Sequence, residues 1–121
     1  MSSFSVLSLP QEQLENLEAL GYQSMTPVQM AALPPGLAGR DLVVQAQTGS
    51  GKTVAFGLPV SADINPRDFG TQALILCPTR ELAAQVATEI RRLARALPNL
   101  KVVVLCGGQP IGPQIGSLEH G

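Results

Sequence analysis

One stretch of eight residues has the composition of a loop that binds phosphate groups. It follows the apolar run Leu42, Val43 and Val44, and it consists of Ala46, Gln47, Thr48, Gly49, Ser50, Gly51, Lys52 and Thr53. Glycine adopts the backbone angles of a tight turn at little cost and lets phosphate oxygens approach the backbone N–H groups. A lysine in the Lys52 position reaches the β- and γ-phosphates of a nucleotide, and a hydroxyl in the Thr53 position binds Mg²⁺. We call residues 46–53 the glycine loop and predict a nucleotide site with Lys52 and Thr53 as its catalytic residues.

A glycine-rich turn that contains a lysine by chance is the alternative. The general phosphate-loop pattern begins with glycine, whereas this chain has Ala46 there, which weakens the match. The neighbouring residues favour a nucleotide site, because an apolar run precedes the loop and the small and apolar residues 54–58 predict a helix after it. The start of such a helix presents free N–H groups and a positive dipole end to phosphates.

The surrounding pattern predicts an α/β fold with a parallel sheet, because two helices are followed by strand–helix repeats. Helices are predicted over residues 11–20, 27–33, 52–62 and 80–97. Thr26 and Pro27 form a helix-start signal, and Pro34, Pro35 and Gly36 are expected to break that helix at about Leu33, before a short turn to Gly39. Strands are predicted over residues 42–44, 72–77 and 101–106, with a loop over 65–70 and a turn over 107–110.

Composition agrees with one α/β domain or part of one. The chain has 121 residues, a net charge of −1, and 45% hydrophobic but only 3% aromatic residues. No apolar run approaches the roughly 20 residues that span a bilayer, and residues 1–5 do not resemble a secretory signal. We therefore expect a cytoplasmic protein without a membrane partner.

The remaining reactive residue types predict no chemistry. Cys77 and Cys106 each end an apolar run and are expected to be small buried residues. His120 has no companion ligand nearby, which argues against a metal role. The arginines of the fourth predicted helix are expected to form a solvated face, with direct RNA contact as the less favoured alternative; they are Arg91, Arg92 and Arg95.

Four separate segments, covering nearly all of the chain, resemble the DEAD-box RNA helicases. Residues 21–29, with Phe4 seventeen residues before Gly21, resemble the Q motif of that family. The glycine loop matches the family's phosphate loop, which begins with alanine. Residues 78–83 resemble motif Ia, and Gly107 with Gly108 resembles the glycine doublet that follows it. The resemblance implies a RecA-like P-loop NTPase fold, with a helical Q-motif region over residues 1–39 and the N-terminal part of an ATP-binding domain over 40–121.

The Q-motif resemblance predicts recognition of adenine. The amide of Gln29 offers a donor beside an acceptor, which pairs with N7 and N6 of adenine, so Gln29 should select ATP over GTP. The resemblance also implies that Tyr22 stacks on the adenine, that Phe4 braces the loop, and that Thr26 belongs to the same site. Outside this motif, Tyr22 would be interpreted as an ordinary half-buried aromatic residue.

The third and fourth segments predict contacts with RNA. They lie where a parallel sheet docks ligands, at the carboxyl end of a strand and the start of a helix. Thr79 and Arg80 suit a backbone phosphate, although Thr79 also suits a helix N-cap with Glu81 in the first turn, and both interpretations can hold. Gly107 and Gly108 either let RNA approach the backbone or form a turn. The resemblance favours RNA contact for the whole set: Pro78, Thr79, Arg80, Glu81, Gly107 and Gly108.

The 121 residues contain no Asp-Glu-Ala-Asp, Ser-Ala-Thr or Thr-Pro-Gly-Arg segment and no second RecA-like domain. In RecA-like helicase domains, strands that carry the first two of these lie between the strand before the phosphate loop and the strand before motif Ia. We therefore expect an incomplete sheet and no ATP hydrolysis by these residues alone. The alternative function is a non-catalytic nucleotide- and RNA-binding module, or a partly folded fragment.

Residues 44–48, Cys77 and residues 106–110 most resemble one bacterial member of the family. That resemblance implies an ATP-dependent RNA helicase, with ATP and Mg²⁺ as cofactors, that acts on ribosomal RNA during assembly of the large ribosomal subunit.

Overall fold

The computed structural model describes residues 2–119, so the expectation for His120 lies outside the described residues. Four helices occupy the predicted places: α1 (Gln11–Ala19), α2 (Pro27–Leu37), α3 (Lys52–Asp63) and α4 (Arg80–Leu93). Short 3₁₀ turns cover Phe4–Val6 and Ala94–Ala96. A further helix, α5 (Ile111–Glu119), was not predicted, because two glycines and a proline interrupt its pattern. None of the helices over residues 2–119 is long and apolar enough to cross a membrane.

The core lies between the N-terminal helices and α3 and α4. Its buried cluster consists of Phe4, Leu7, Leu17, Met25, Leu33, Val54, Leu58 and Leu93. Helix α3 packs against α2 on one side and α4 on the other. Gly57 permits this close approach, because a Cβ there would lie 2.8 Å from Ile90 Cδ1 and 2.9 Å from Leu93 Cδ1. The helix that begins at the glycine loop is thus the central element of the core.

The expected end of α2 at Leu33 is wrong, since the helix continues through Pro34 and Pro35. A proline inside a helix removes one hydrogen bond and costs about 3 kcal/mol. Leu33 is fully buried, and burial of a leucine side chain contributes about 2 kcal/mol in the opposite direction. The carbonyl oxygens of both prolines accept backbone hydrogen bonds. Ala38 N–H donates to Pro34 O at 3.2 Å, and Arg40 N–H donates to Pro35 O at 3.1 Å. Burial of Leu33 offsets part of the cost of a helical proline, and these two hydrogen bonds satisfy the carbonyl groups of both prolines.

The three predicted strands are not paired in a ladder anywhere within residues 2–119, where the described β pairing is a single bridge between Ser3 and Ser24. Their apolar side chains are open to solvent: Val43 is 103% exposed, Leu74 79% and Leu76 85%. The expected separation of the first two strands by other strands remains a prediction, and it is consistent with the absence of a ladder between them within the described residues. Residues 72–77 and 101–105 instead border a cavity of about 440 Å³ beside α3 and α4.

Two smaller expectations also need correction. The α-helical part of α4 ends at Leu93 rather than Leu97, and a 3₁₀ turn follows it. Pro98 disfavours the helical conformation at the preceding residue, and Leu97 is accordingly extended and ends the 3₁₀ turn. Cys77 and Cys106 are free thiols of intermediate exposure rather than buried residues, because the strands that they end are uncovered.

Candidate nucleotide and RNA sites

The glycine loop forms a tight turn directly before α3. Gly49 and Gly51 have φ angles of 82° and 86°, in the left-handed region that glycine adopts most readily. Ser50 N–H donates to Gln47 O at 3.2 Å, which closes the turn. Gly51 occupies the N-cap of α3, so no side chain caps the first N–H groups of that helix. An uncapped helix start with its positive dipole end is a site for an anion.

The side chains of the loop add polar groups to this helix start. The Lys52 ammonium is exposed and donates to Ala46 O at 2.7 Å, so the lysine folds back over the loop. Thr53 is half-buried in the first turn of α3. The Ser50 hydroxyl is buried and has no partner within the described part of the chain. Buried polar groups are normally hydrogen-bonded. An unpartnered hydroxyl, a free helix start and an ammonium group fit the oxygen atoms of a triphosphate.

The residues 21–29, which we call the Q segment, lead into α2 through a reciprocal cap. Gln29 N–H donates to Thr26 Oγ1 at 3.4 Å, and Thr26 N–H donates to Gln29 Oε1 at 2.9 Å. Together the two bonds form a capping box, in which each residue satisfies a backbone donor of the other. The predicted helix start at Thr26 and Pro27 is confirmed.

The Q segment is also bonded directly to the glycine loop. The Thr26 hydroxyl donates to Ser50 O at 2.7 Å, and Gln29 Nε2 donates to Gly51 O at 3.2 Å. A Cβ on Gly51 would collide with the Gln29 amide nitrogen and lie 3.3 Å from Thr26 Oγ1. Sequence reasoning assigned Gly51 to phosphate approach and missed this contact between segments. Gln29 is 2% exposed, and its amide retains one further N–H and one further lone pair.

The two N-terminal aromatic residues lie against each other. The ring centroids of Phe4 and Tyr22 are 6.1 Å apart at an interplanar angle of 63°, an edge-to-face arrangement. Phe4 is buried and Tyr22 is half-buried. Burial raises the pKa of Tyr22 above its usual 10.0, the negative charge of Glu89 raises it further, and Arg92 opposes the shift. The Tyr22 hydroxyl is therefore neutral at physiological pH.

The segments predicted to contact RNA are brought together on the surface. Thr79 is the N-cap of α4 and accepts from Leu82 N–H at 3.1 Å, and Glu81 lies in the first turn, as the capping interpretation predicts. Arg80 Nη1 lies 3.2 Å from the point that a Cβ on Gly108 would occupy. Gly108 has a φ of 77°. Pro78, Thr79, Arg80, Glu81, Gly107 and Gly108 are all exposed, so this patch is open to a partner.

Sequence reasoning missed Gln114 on α5. Its side chain accepts from Cys106 N–H at 2.9 Å and donates to Cys106 O at 3.2 Å, which holds the start of the glycine-doublet turn.

The three arginines that were predicted to form a solvated face are all exposed. One of them, Arg91, donates a hydrogen bond to Val102 O at 2.9 Å. No cluster of three or more His, Cys, Asp or Glu residues lies within residues 2–119.

Comparison with known proteins identifies the class to which this fold and these sites belong. The sequence profile of the DEAD/DEAH box helicases matches residues 26–121. This chain belongs to the DEAD/DEAH box helicase family. The chain is 64% identical to the ATP-dependent RNA helicase DbpA of Escherichia coli (strain K12) over 121 residues, which confirms the predicted resemblance to a bacterial member of the family.

Solved structures show the same relationship in the fold. The crystal structure of a DEAD box protein from the hyperthermophile Methanococcus jannaschii matches with a TM-score of 0.91 and 40% identity, over 98% of this chain and 32% of that chain. The RNA helicase Prp28 from Chaetomium thermophilum, bound to ADP, matches with a TM-score of 0.85 and 39% identity, over 99% of this chain and 30% of that chain. The chain thus follows the path of a RecA-like helicase domain, although its sheet is incomplete.

The comparison also sets the extent of the match. The alignment with E. coli DbpA covers 99% of this chain and 26% of that protein. The chain therefore spans about a quarter of the length of this relative.

Proposed function

We propose that this chain forms the ATP- and RNA-binding part of an ATP-dependent RNA helicase, with residues 1–39 as the Q-motif region and residues 40–121 as the N-terminal part of the ATP-binding domain. The observation that carries the proposal is the pair of hydrogen bonds from Thr26 to Ser50 O and from Gln29 to Gly51 O. They join the segment that would recognise the base to the loop that would hold the phosphates.

The glycine loop would bind the triphosphate. The N–H groups at the start of α3 and the unpartnered Ser50 hydroxyl would donate to phosphate oxygens. The Lys52 ammonium would exchange Ala46 O for a phosphate oxygen, where its positive charge opposes the charge of the phosphates. Thr53 is the residue that would hold Mg²⁺, and that ion, when bound, neutralises charge on the phosphates.

The Q segment would recognise the base. The remaining donor and acceptor of the Gln29 amide match N7 and N6 of adenine but not the corresponding edge of guanine. Tyr22 would stack on the ring, and Phe4 would brace Tyr22 from its edge. The ADP bound in the solved Prp28 helicase supports an adenine nucleotide at the equivalent fold.

The exposed patch at the start of α4 would bind the RNA backbone. Arg80 provides a charged bidentate donor, and the adjacent Gly108 leaves the backbone accessible beside it. Thr79 uses its oxygen as an acceptor in the helix cap, and its O–H group remains a donor. Phosphate contacts of this kind position RNA without reading its sequence.

The finer part of the proposal concerns the RNA substrate. We propose a cytoplasmic role on ribosomal RNA during assembly of the large subunit, with a second RecA-like domain as the partner that completes the ATPase site. The 64% identity to the ATP-dependent RNA helicase DbpA of E. coli supports the helicase part of this proposal.

RNA-stimulated ATP hydrolysis tests the proposal in a helicase that carries these residues together with the other motifs. We expect Lys52→Ala to lower turnover by roughly a hundredfold or more, as for the loss of a charge that stabilises the transition state. Lys101→Ala is the matched control, because Lys101 is an exposed lysine outside the glycine loop. Turnover that is equal in the two variants would rule out the phosphate-binding role of the loop.

A further inference from the structure

Helix α1 is joined to the end of α4 by two side-chain amides. Gln13 Nε2 donates to Leu93 O at 3.0 Å, and Asn16 Nδ2 donates to Arg92 O at 2.9 Å and to Leu93 O at 3.2 Å. Asn16 Nδ2 also lies 3.1 Å from Gln13 Oε1, which links the two amides. We call this group the amide clasp. It connects residues about 80 positions apart in the sequence.

The clasp fits the chemistry of a helix end. The last carbonyl groups of an α-helix have no N–H partner within the helix, and side-chain donors from another element satisfy them well. Gln13 is only 6% exposed although glutamine is usually found at the surface, so its amide is committed to this contact. Because α1 otherwise contacts the core mainly through Leu17 and a few partly buried leucines, the clasp fixes its position along α4.

Tyr22 is attached rigidly to the other end of α1. Gly21, with a φ of 90°, reverses the chain, and Gly21 N–H donates to Glu18 O at 3.0 Å. Tyr22 N–H donates to Leu17 O at 2.9 Å. These two bonds form a Schellman motif, which defines the backbone of Tyr22 relative to the helix. Glu89 and Arg92 of α4 also act on the Tyr22 hydroxyl, so the ring lies near the part of α4 that the clasp holds.

We propose that Gln13, with Asn16, is a positioning residue for the adenine-stacking Tyr22. The clasp sets α1 on α4, and the Schellman motif transfers that position to the tyrosine ring. This inference rests on the proposed function, in which Tyr22 stacks on adenine. It predicts that the clasp contributes to binding of the base and not to binding of the phosphates.

The test compares ATP with tripolyphosphate, which has the phosphates but no base, in a helicase that carries these residues. Gln13→Met keeps the side-chain length and removes the amide. We expect it to weaken ATP binding roughly threefold to tenfold, a part of the stacking contribution of one base. Tripolyphosphate binding should not change. Gln11→Met is the matched control, since Gln11 is exposed on the same helix, and it should alter neither affinity.

A double-mutant cycle with Tyr22→Ala separates positioning from a general loss of stability. Gln13→Met should have no further effect on ATP binding once Tyr22 is removed. An equal loss of ATP and tripolyphosphate binding, or an equal effect of Gln13→Met with and without Tyr22, would overturn the proposal. Asn16→Leu removes the second amide and should reproduce the result if Gln13→Met does not fold.

Two outcomes distinguish this inference from the proposed function. If Tyr22→Ala weakens ATP binding but neither clasp variant does, the positioning role is wrong and the stacking role stands. If Tyr22→Ala leaves ATP binding unchanged, the stacking role is wrong and the positioning role falls with it.

Discussion

The hydroxyl of Thr26 joins the Q segment to the glycine loop, so its removal is expected to affect both stability and nucleotide binding. Thr26→Val keeps the shape of the side chain and removes two hydrogen bonds, the N-cap to Gln29 N–H at 3.4 Å and the bond to Ser50 O at 2.7 Å. The long cap bond is expected to contribute about 0.5 kcal/mol, at the low end for an N-cap. The short bond is expected to contribute about 1 kcal/mol.

The sum, about 1.5 kcal/mol, corresponds to a fall in the melting temperature of roughly 3–6 °C for a complete domain of about 150–250 residues. The part that restrains the glycine loop, about 1 kcal/mol, corresponds to a roughly fivefold weaker affinity for ATP. Thermal denaturation and nucleotide titration of a complete ATP-binding domain that includes these residues measure the two effects.

Thr88→Val is the matched control for this change. Thr88 is exposed on α4, and its hydroxyl donates only to Ala84 O, one turn back in the same helix. Its loss is expected to change stability by less than about 0.5 kcal/mol. If Thr26→Val is no less stable than Thr88→Val and binds ATP equally well, the hydrogen bonds between the Q segment and the glycine loop do not have the role assigned to them.

Three further predictions concern other parts of the chain. Arg80→Ala is expected to weaken binding of single-stranded RNA similarly for all sequences. The slope of the logarithm of RNA affinity against the logarithm of salt concentration should become shallower by about 0.7, the value for one phosphate contact. Arg67→Ala, at another exposed arginine, should leave this slope unchanged, and an unchanged slope for Arg80→Ala would leave Arg80 as a structural residue. Tyr22 is the single tyrosine of a chain without tryptophan, and its ultraviolet absorbance should show that it ionises above pH 10. The free energy of unfolding should fall as the pH rises above 10, because the tyrosine of the unfolded state loses its proton first. Ionisation at the ordinary pKa would contradict the burial of Tyr22. The isolated 121-residue chain is expected to self-associate in sedimentation, because Val43 and Leu74 expose apolar side chains. It is also expected to lack ATPase activity, because these residues contain no Asp-Glu-Ala-Asp segment, and a monomeric, active chain would contradict both expectations.

Local signals of the sequence were sufficient for most helix positions. The start of α2 at Thr26, the start of α3 after Gly51 and the start of α4 at Thr79 all follow from capping residues or glycine, whose effects act within one turn. The continuation of α2 through Pro34 and Pro35 could not be predicted in this way, because the local effect of proline is to end a helix. Pairing of the strands depends on distant partners, which explains why apolar runs did not become a ladder.

The composition of the candidate sites could be predicted, but the bonds within them could not. The residue types of the glycine loop predict a phosphate site without any knowledge of the fold. The contacts of Gln29 with Gly51 and of Gln13 with Leu93 join segments 22 and 80 residues apart. The local signal in this region was the pair Thr26 and Pro27, which indicates a helix start rather than a contact with another loop.

Competition between ATP and GTP tests the central claim most directly, because the claim is that Gln29 connects base recognition to the phosphate loop. In a helicase that carries these residues, ATP is expected to bind more tightly than GTP. Gln29→Leu should weaken ATP binding and reduce that preference, because the leucine neither pairs with adenine nor donates to Gly51 O. GTP that competes as well as ATP for the unmutated protein would contradict the account.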